Sequence, residues 1–323
     1  MINDKNNKYF IETGIGLQDV DKLENSSYFL NETNRYINGE ISLEELDSII
    51  SSYYKNRTDT DKRTEEADKV SIRIAKIISE NSFTFTVGQL LNIHRFLFNG
   101  ILDHPGELRK YNFIKKEWVL GGDSVTYGDY REIEMILQYD FEQEKKFSYR
   151  GLTMNEIIEH LAIFISNLWQ IHAFEEGNTR TTVVFFIKYL RSLGFEITND
   201  TFAKNSWYFR NSLVRANYNN VKKGIFEDRS YLIKFLKNLL LNENNILQNR
   251  DLHVSEIKIL NNIESKESKI LNFIKENPYI TGEQLSANIG VSLRTIKTIL
   301  KAMTIKEKIK RINGKRYGYW KIL

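Results

Sequence analysis

The chain of 323 residues contains no cysteine. Disulfides, thiolate nucleophiles and cysteine-ligated zinc are therefore excluded, and the composition suits a reducing compartment, so a cytoplasmic location is expected. Proline occurs only at Pro105 and Pro278, which leaves long uninterrupted helices as the default. The N-terminal stretch MINDKNNKYFIETG lacks the apolar region of a secretory signal. No uncharged apolar run reaches the length of a membrane span. TTVVFFIKYL is broken by Lys188 and reads as a buried helix, so no membrane association is expected. Neither a Walker A pattern nor HExxH occurs, which removes a P-loop and a zincin, and no repeat suggests a solenoid.

Charge is present but unevenly spread. The net charge is +4, yet residues 266–323 hold 13 Lys and Arg against 4 Glu, and the remainder holds 33 basic against 38 acidic residues. A basic tail of about +9 on a mildly acidic body implies a separate module with a polyanionic partner.

The patterning is mainly α and divides into four blocks: 1–69, 70–250, a polar connector at 251–265, and 266–323. In the first, Ser42 followed by Glu45 forms a capping box before the apolar positions Leu46, Ile49 and Ile50. TDTDKRTEEADK (58–69) reads as a linker or an exposed helix start. Helical spacing recurs at 86–98, 129–143, 154–171, 179–193, 204–219 and 229–241. FIKKEWVLGGDSVTYGD (113–129) differs. Short β-type runs flank Gly121-Gly122-Asp123, the pattern of a hairpin flap.

HAFEEGNTR (172–180) lies between two apolar helical runs. A second helix opening there presents free N–H groups and a positive dipole end to an anion. Gly177 permits positive φ. Asn178 suits a turn, and Arg180 supplies a forked cation for phosphate. Glu176 suits a divalent cation, His172 a general base near neutral pH, and Phe174 a pin into the core.

This stretch resembles the Fic-domain pattern HPFx(D/E)GN(G/x)R at His172, Phe174, Glu176, Gly177, Asn178 and Arg180. The likeness extends over roughly 70–250. It includes IEHLAIFISNLWQIH with His160, PGELRKYNF (105–113) before the flap, and SWYFRNSLVRANYNN. It implies a helical Fic fold and transfer of AMP from ATP, with Mg2+, to a Ser, Thr or Tyr hydroxyl of a protein, with self-modification as a side reaction. In that scheme His172 accepts the hydroxyl proton and Glu176 holds Mg2+. Phe174, Gly177, Asn178, Thr179 and Arg180 contact the nucleotide, with Tyr208, Asn211 and Tyr218 around the base. The flap, with Lys115 and Lys116, docks the target chain by strand addition. Two positions depart from the pattern. Ala173 replaces the proline, and Val183 stands where many members carry a second arginine, so the donor need not be ATP.

KIISEN, ending at Glu80-Asn81, partly resembles the family's inhibitory helix (S/T)xxxE(G/N), with Lys76 at the hydroxyl position. This makes Glu80 the candidate brake. RYINGEISLEEL resembles the antitoxin-type modules associated with Fic toxins. The tail resembles a winged helix–turn–helix. Thr281 opens its second helix, Gly290 closes it, and Ser292 caps a third. Arg294, Thr295 and Lys297 would face the major groove of DNA, and Lys310, Arg311, Lys315 and Arg316 would contact phosphates from the wing. The alternative is a DNA-binding transcriptional regulator whose Fic domain senses nucleotide or uses another donor. The sequence leaves the oligomeric state open, with a homodimer among the options.

Overall fold

In the computed structural model, residues 2–56, 61–312 and 318–323 are described. The chain divides into two compact units, residues 1–252 and 253–323. Among the described residues no helix is long and apolar enough to cross a membrane.

The first unit is helical: α1 (Ile2–Gly16), α2 (Ser27–Ile37), α3 (Leu43–Lys55), α4 (Lys62–Ser79), α5 (Val87–Phe98), α6 (Ile133–Lys146), α7 (Met154–Ile171), α8 (Asn178–Ser192), α9 (Thr201–Ala216), α10 (Ser230–Leu241) and α11 (Asn249–Leu252). Side-chain caps set several starts, with capping boxes at Ser42/Glu45 and Thr153/Glu156. Helix α8 is the centre. Every residue from Asn178 to Leu190 is buried, the mark of a helix covered on all sides. It packs against α5, α7 and α4.

The N-terminal helices are built into this body. The expected boundary at 69/70 falls inside α4, whose N-cap is Asp61. Helix α1 packs on both α4 and α9, and two glycines set its approach. A Cβ on Gly14 would lie 2.3 Å from Ser71 O, and one on Gly16 would lie 2.1 Å from Ala203 O. Buried Asp68 of α4 ties in the segment before α2, accepting from Ser26 N (2.9 Å) and Ser26 Oγ (2.6 Å), and from Tyr54 Oη (2.6 Å) of α3.

The expected hairpin at 113–129 is not a strand pair. Two backbone bonds cross it, Glu117 N–H to Asp123 O at 2.9 Å and Gly122 N–H to Glu117 O at 3.0 Å, around a 3-10 turn at Trp118–Leu120. Val119 and Leu120 are both buried. Adjacent buried residues do not fit the alternation of a half-exposed strand, and Gly121 and Gly122 at positive φ close a tight loop instead.

The second unit comprises α12 (Val254–Glu276), α13 (Gly282–Ile289), α14 (Leu293–Ile305) and an antiparallel pair, β1 (Ile309–Ile312) with β2 (Tyr319–Ile322), in register from Ile309↔Ile322 to Ile312↔Tyr319. The connector expected at 251–265 is largely the first part of α12. Thr281, Gly290 and Ser292 are the caps expected of them. Ile270, Ile274, Leu285, Ile296, Met303 and Ile309 form the core. Buried Glu267 accepts from Lys306 Nζ (3.1 Å) and Lys308 Nζ (2.7 Å), tying α12 to the approach to β1.

Gly16→Ala is expected to lower the stability of the first unit by about 1–3 kcal/mol through overpacking against α9. Gly88→Ala, where an added Cβ has nothing nearer than 3.8 Å, should be neutral or stabilising in urea denaturation.

Candidate active site

Helix α7 ends at His172, a non-glycine residue in the left-handed region (φ 52°, ψ 59°), with its N–H on Trp169 O at 3.1 Å. Arg109, itself buried, holds that conformation. Its Nε donates to His172 O at 2.7 Å and its backbone N–H to Ala173 O at 2.9 Å. Its remaining guanidinium nitrogens reach Tyr111 O (2.6 Å), Asn112 Oδ1 (3.1 Å) and Gly128 O. One buried cation thus joins the end of α7 to both ends of the 113–129 loop.

The turn is closed internally as well. Phe174 N–H donates to Asn178 Oδ1 (2.9 Å), and Asn178 Nδ2 donates back to Phe174 O (2.8 Å). Both polar ends of the Asn178 side chain are spent on this ring, so any anion contact from Asn178 falls to its backbone. Gly177 is the α8 N-cap at φ 72°, and a Cβ there would sit 2.3 Å from the Phe98 ring. The first ladder bond of α8 is Thr181 N–H to Gly177 O, which leaves the N–H groups of Asn178, Thr179 and Arg180 outside the ladder. Thr179 Oγ accepts from Trp169 Nε1 at 3.0 Å.

His94 of α5 supports the turn from beneath. It stacks on Phe174 (centroids 3.8 Å apart, 12°). Its Nδ1 accepts from Gly106 N–H (2.7 Å), so the proton must sit on Nε2, which lies 3.1 Å from Glu176 O and donates to it. Burial pushes the His94 pKa down to about 4.

His172 is buried, with its ring against Tyr127 (4.0 Å, 26°) and edge-on to Phe113 and Trp169 (5.5 Å each). Its Nδ1 is shut from solvent without a partner. Burial first, then the charges of Lys115, Arg210 and Arg109, hold its pKa well below the ordinary value, so the ring is neutral near pH 7 and its proton-accepting form is present. A cavity of about 290 Å³ is lined by His172, Glu175, Glu176, Gly177, Asn178 and Thr179, with Tyr111, Phe113, Ile114, Lys115 and Asp21 around the rest.

Arg180 is almost wholly buried over the Phe98 ring (4.7 Å), and its nitrogens face the N-terminal helices. Its terminal nitrogens donate to Glu66 Oε1 (2.6 Å) and Gln18 Oε1 (3.1 Å). Its Nε lies 3.0 Å from Asp21 Oδ2, a charge contact that lacks hydrogen-bond alignment. Lys115 Nζ is 3.9 Å from Asp21 Oδ1.

The remaining sequence candidates lie elsewhere. Lys116 is exposed and does not line the cavity. Tyr208, Asn211 and Tyr218 are buried on or just beyond α9, bonded respectively to Tyr231 O (3.3 Å), Asn249 Oδ1 (2.7 Å) and Asp123 Oδ2 (2.6 Å), and none lines the cavity. Val183 is fully buried. Glu80 is the exposed C-cap of α4. Its carbonyl accepts from Lys188, and the two clefts it lines do not include His172. His160 bonds Glu144 Oε2 (2.7 Å) and stacks on Phe147 in a separate cleft. In the second unit Arg294 and Lys297 are exposed along α14, Thr295 shares the Ser292 cap, Lys310 is exposed, and Arg311 lies over Trp320 (4.9 Å). Lys315 and Arg316 lie outside the described residues. Arg109, His94, Tyr127, Asp21, Gln18 and Glu66 were not singled out in the sequence.

The turn from a left-handed His172 through Gly177 into a buried α8 agrees with the family match at residues 84–190. These residues form a Fic/DOC family domain. Residues 263–310 match a winged helix-turn-helix DNA-binding family. The chain is similar to the protein adenylyltransferase VbhT of Bartonella schoenbuchensis, at 27% identity over 117 residues, 36% of this chain and 23% of that protein. The chain therefore matches about a quarter of that relative's length. A Fic domain containing signaling protein from Bacteroides thetaiotaomicron is similar in fold, with TM-score 0.52 and 14% identity over 75% of this chain and 87% of its own.

The neutral His94 makes the Fic domain acid-sensitive. Its folded pKa lies below the unfolded value, so its stabilising effect is full above about pH 6.5 and is lost as pH falls toward 4, by an amount on the order of 3 kcal/mol. Denaturation midpoints measured across that range should fall in the wild type. They should fall less in His94→Gln, which starts from a lower stability.

Proposed function

We propose that the protein is a nucleotidyltransferase that moves AMP from ATP to a hydroxyl side chain of a protein, itself included. The carrying observation is that His172, held neutral by burial, Glu176 and the first residues of α8, whose N–H groups lie outside the helix ladder, line one cavity. The adenylyltransferase relative supports the same reading. The hydroxyl oxygen attacks the α-phosphorus, the bond to pyrophosphate breaks, and the hydroxyl proton passes to His172. The α8 N-terminus stabilises phosphate charge. Among the described residues no three His, Asp or Glu side chains form a preformed metal cage. Mg2+ needs none, being ordinarily held by one or two carboxylates and the phosphates, and Glu176 fits that part. When bound, Mg2+ neutralises charge on the phosphates.

The same reading includes a brake. Glu66 accepts from the Arg180 fork as a phosphate oxygen would, while Asp21 lies beside it in charge contact and also lines the cavity. In this proposal the N-terminal helices, through Asp21, Gln18 and Glu66, keep Arg180 from the nucleotide. The same carboxylates make an antitoxin-like role for these helices concrete. No equivalent contact links Glu80 to the motif.

The second unit binds DNA in this reading. Lys297, Lys301 and Arg311 line one cleft of about 600 Å³ with Thr281 and Gly282 at the start of α13. A DNA-binding regulator that performs no transfer is the competing reading, favoured by the buried Val183.

Incubation with Mg2+ and each nucleoside triphosphate, read by intact mass, should add one AMP per site, and His172→Ala should abolish the gain. No adduct with any nucleotide, together with salt-sensitive DNA binding, would favour the regulator. The double variant Asp21→Asn, Glu66→Gln should raise the rate of transfer by about tenfold or more, the equivalent of one charge-assisted pair; an unchanged rate in a folded protein would remove the brake. Lys297→Ala with Lys301→Ala should weaken DNA binding and flatten its salt dependence.

A further inference from the structure

His172 is held by more than its own turn. The ring of Tyr127 covers one face of the imidazole at 4.0 Å and 26°. Tyr127 is fixed at its far end, where its hydroxyl donates to Glu117 Oε1 at 3.3 Å. Glu117 is almost fully buried and receives both terminal nitrogens of Arg210, at 2.7 and 2.9 Å. Arg210 belongs to α9 and lies over the Trp207 ring at 5.1 Å. A buried two-pronged ion pair thus anchors the 113–129 loop to α9 and sets the tyrosine on the imidazole. Phe113 from the same loop and Trp169 from α7 close two further sides.

We propose that Tyr127, fixed by Glu117 and Arg210, is a positioning residue that orients the His172 ring and keeps water from it. The proposal rests on the transfer reading for its importance to catalysis, though not for its test. The arrangement has a chemical purpose. A general base must meet the incoming hydroxyl uncharged and in one orientation, and His172 Nδ1 has no hydrogen bond to fix the ring. Stacking against an anchored aromatic replaces that missing bond. The charged groups around the imidazole are Lys115 and Glu117 on the loop, Arg109 before it, Arg210 on α9, Glu175 and Glu176 in the turn, and Asp21 across the cavity. The cations oppose a charged imidazole, and the dry aromatic walls remove the water that would solvate it.

The test uses the full chain. A proton NMR titration of His172, assigned by the signal lost in His172→Ala, measures its midpoint without any nucleotide. Tyr127→Ala is expected to move the midpoint upward by about one pH unit as water enters. Tyr127→Phe keeps the ring but loses its anchor on Glu117, and should move the midpoint upward by clearly less than Tyr127→Ala does. An unmoved midpoint in folded Tyr127→Ala, or an equal shift in Tyr127→Phe, overturns the proposal. Should Tyr127→Ala fail to melt cooperatively, Tyr127→Leu decides by the same criterion, since it keeps bulk without a flat ring. In the transfer assay Tyr127→Ala should lower kcat by roughly tenfold or more with KM for nucleotide little changed, and the acid limb of its pH profile should follow the NMR midpoint. A shifted midpoint in a protein that transfers nothing supports the positioning role and removes only the transfer reading.

Discussion

The buried guanidinium of Arg109 is the contact on which the site depends. An α-helix ending in a left-handed histidine leaves its last carbonyls without ladder partners. Arg109 takes up His172 O and binds the carbonyls of Tyr111 and Gly128 as well. Removing it would strand several carbonyls at once and free three segments to move separately. The ring closed by Asn178 and the support from His94 then fix the rest of the turn, so the cavity is shaped before any ligand arrives.

The two arginines near the motif are used in opposite ways. Arg109 meets neutral carbonyls and is structural. Arg180 meets two carboxylates supplied by the N-terminal helices, and a guanidinium gripped by anions is the kind of group that an anionic ligand can compete for. Gly14 and Gly16 bring α1 against α4 and α9 with no room for a Cβ, and the 3-10 turn Leu17–Asp21 that follows α1 carries Asp21 to Arg180.

Much of the fold was legible in the sequence because it follows from periodicity and caps. The helices at 86–98, 154–171 and 179–193 lie within a residue of their observed positions, and Ser42, Thr281, Gly290 and Ser292 punctuate the chain as their chemistry dictates. The 113–129 segment was misread because Val119 and Leu120 are adjacent apolar residues that a 3-10 turn buries together. The motif located the cavity, since HAFEEGNTR is contiguous. Its surroundings were not legible. Asp21, Glu66, Arg109 and Tyr127 come from distant parts of the chain, and an isolated tyrosine or glutamate looks the same in a sequence whether it faces solvent or an imidazole. Tyr208, Asn211 and Tyr218 show the reverse: helical proximity in sequence did not place them at the cavity.

Glu267 bears on how the basic tail meets a polyanion. Two of the lysines that give residues 266–323 their excess charge, Lys306 and Lys308, converge on that one buried carboxylate. They help hold the second unit together and are not simply free to replace counterions on a phosphate backbone. Under the proposed DNA binding, fewer ions would be released than the tail's sequence charge suggests, and the electrostatic footprint would contract toward α14 and the exposed side of β1.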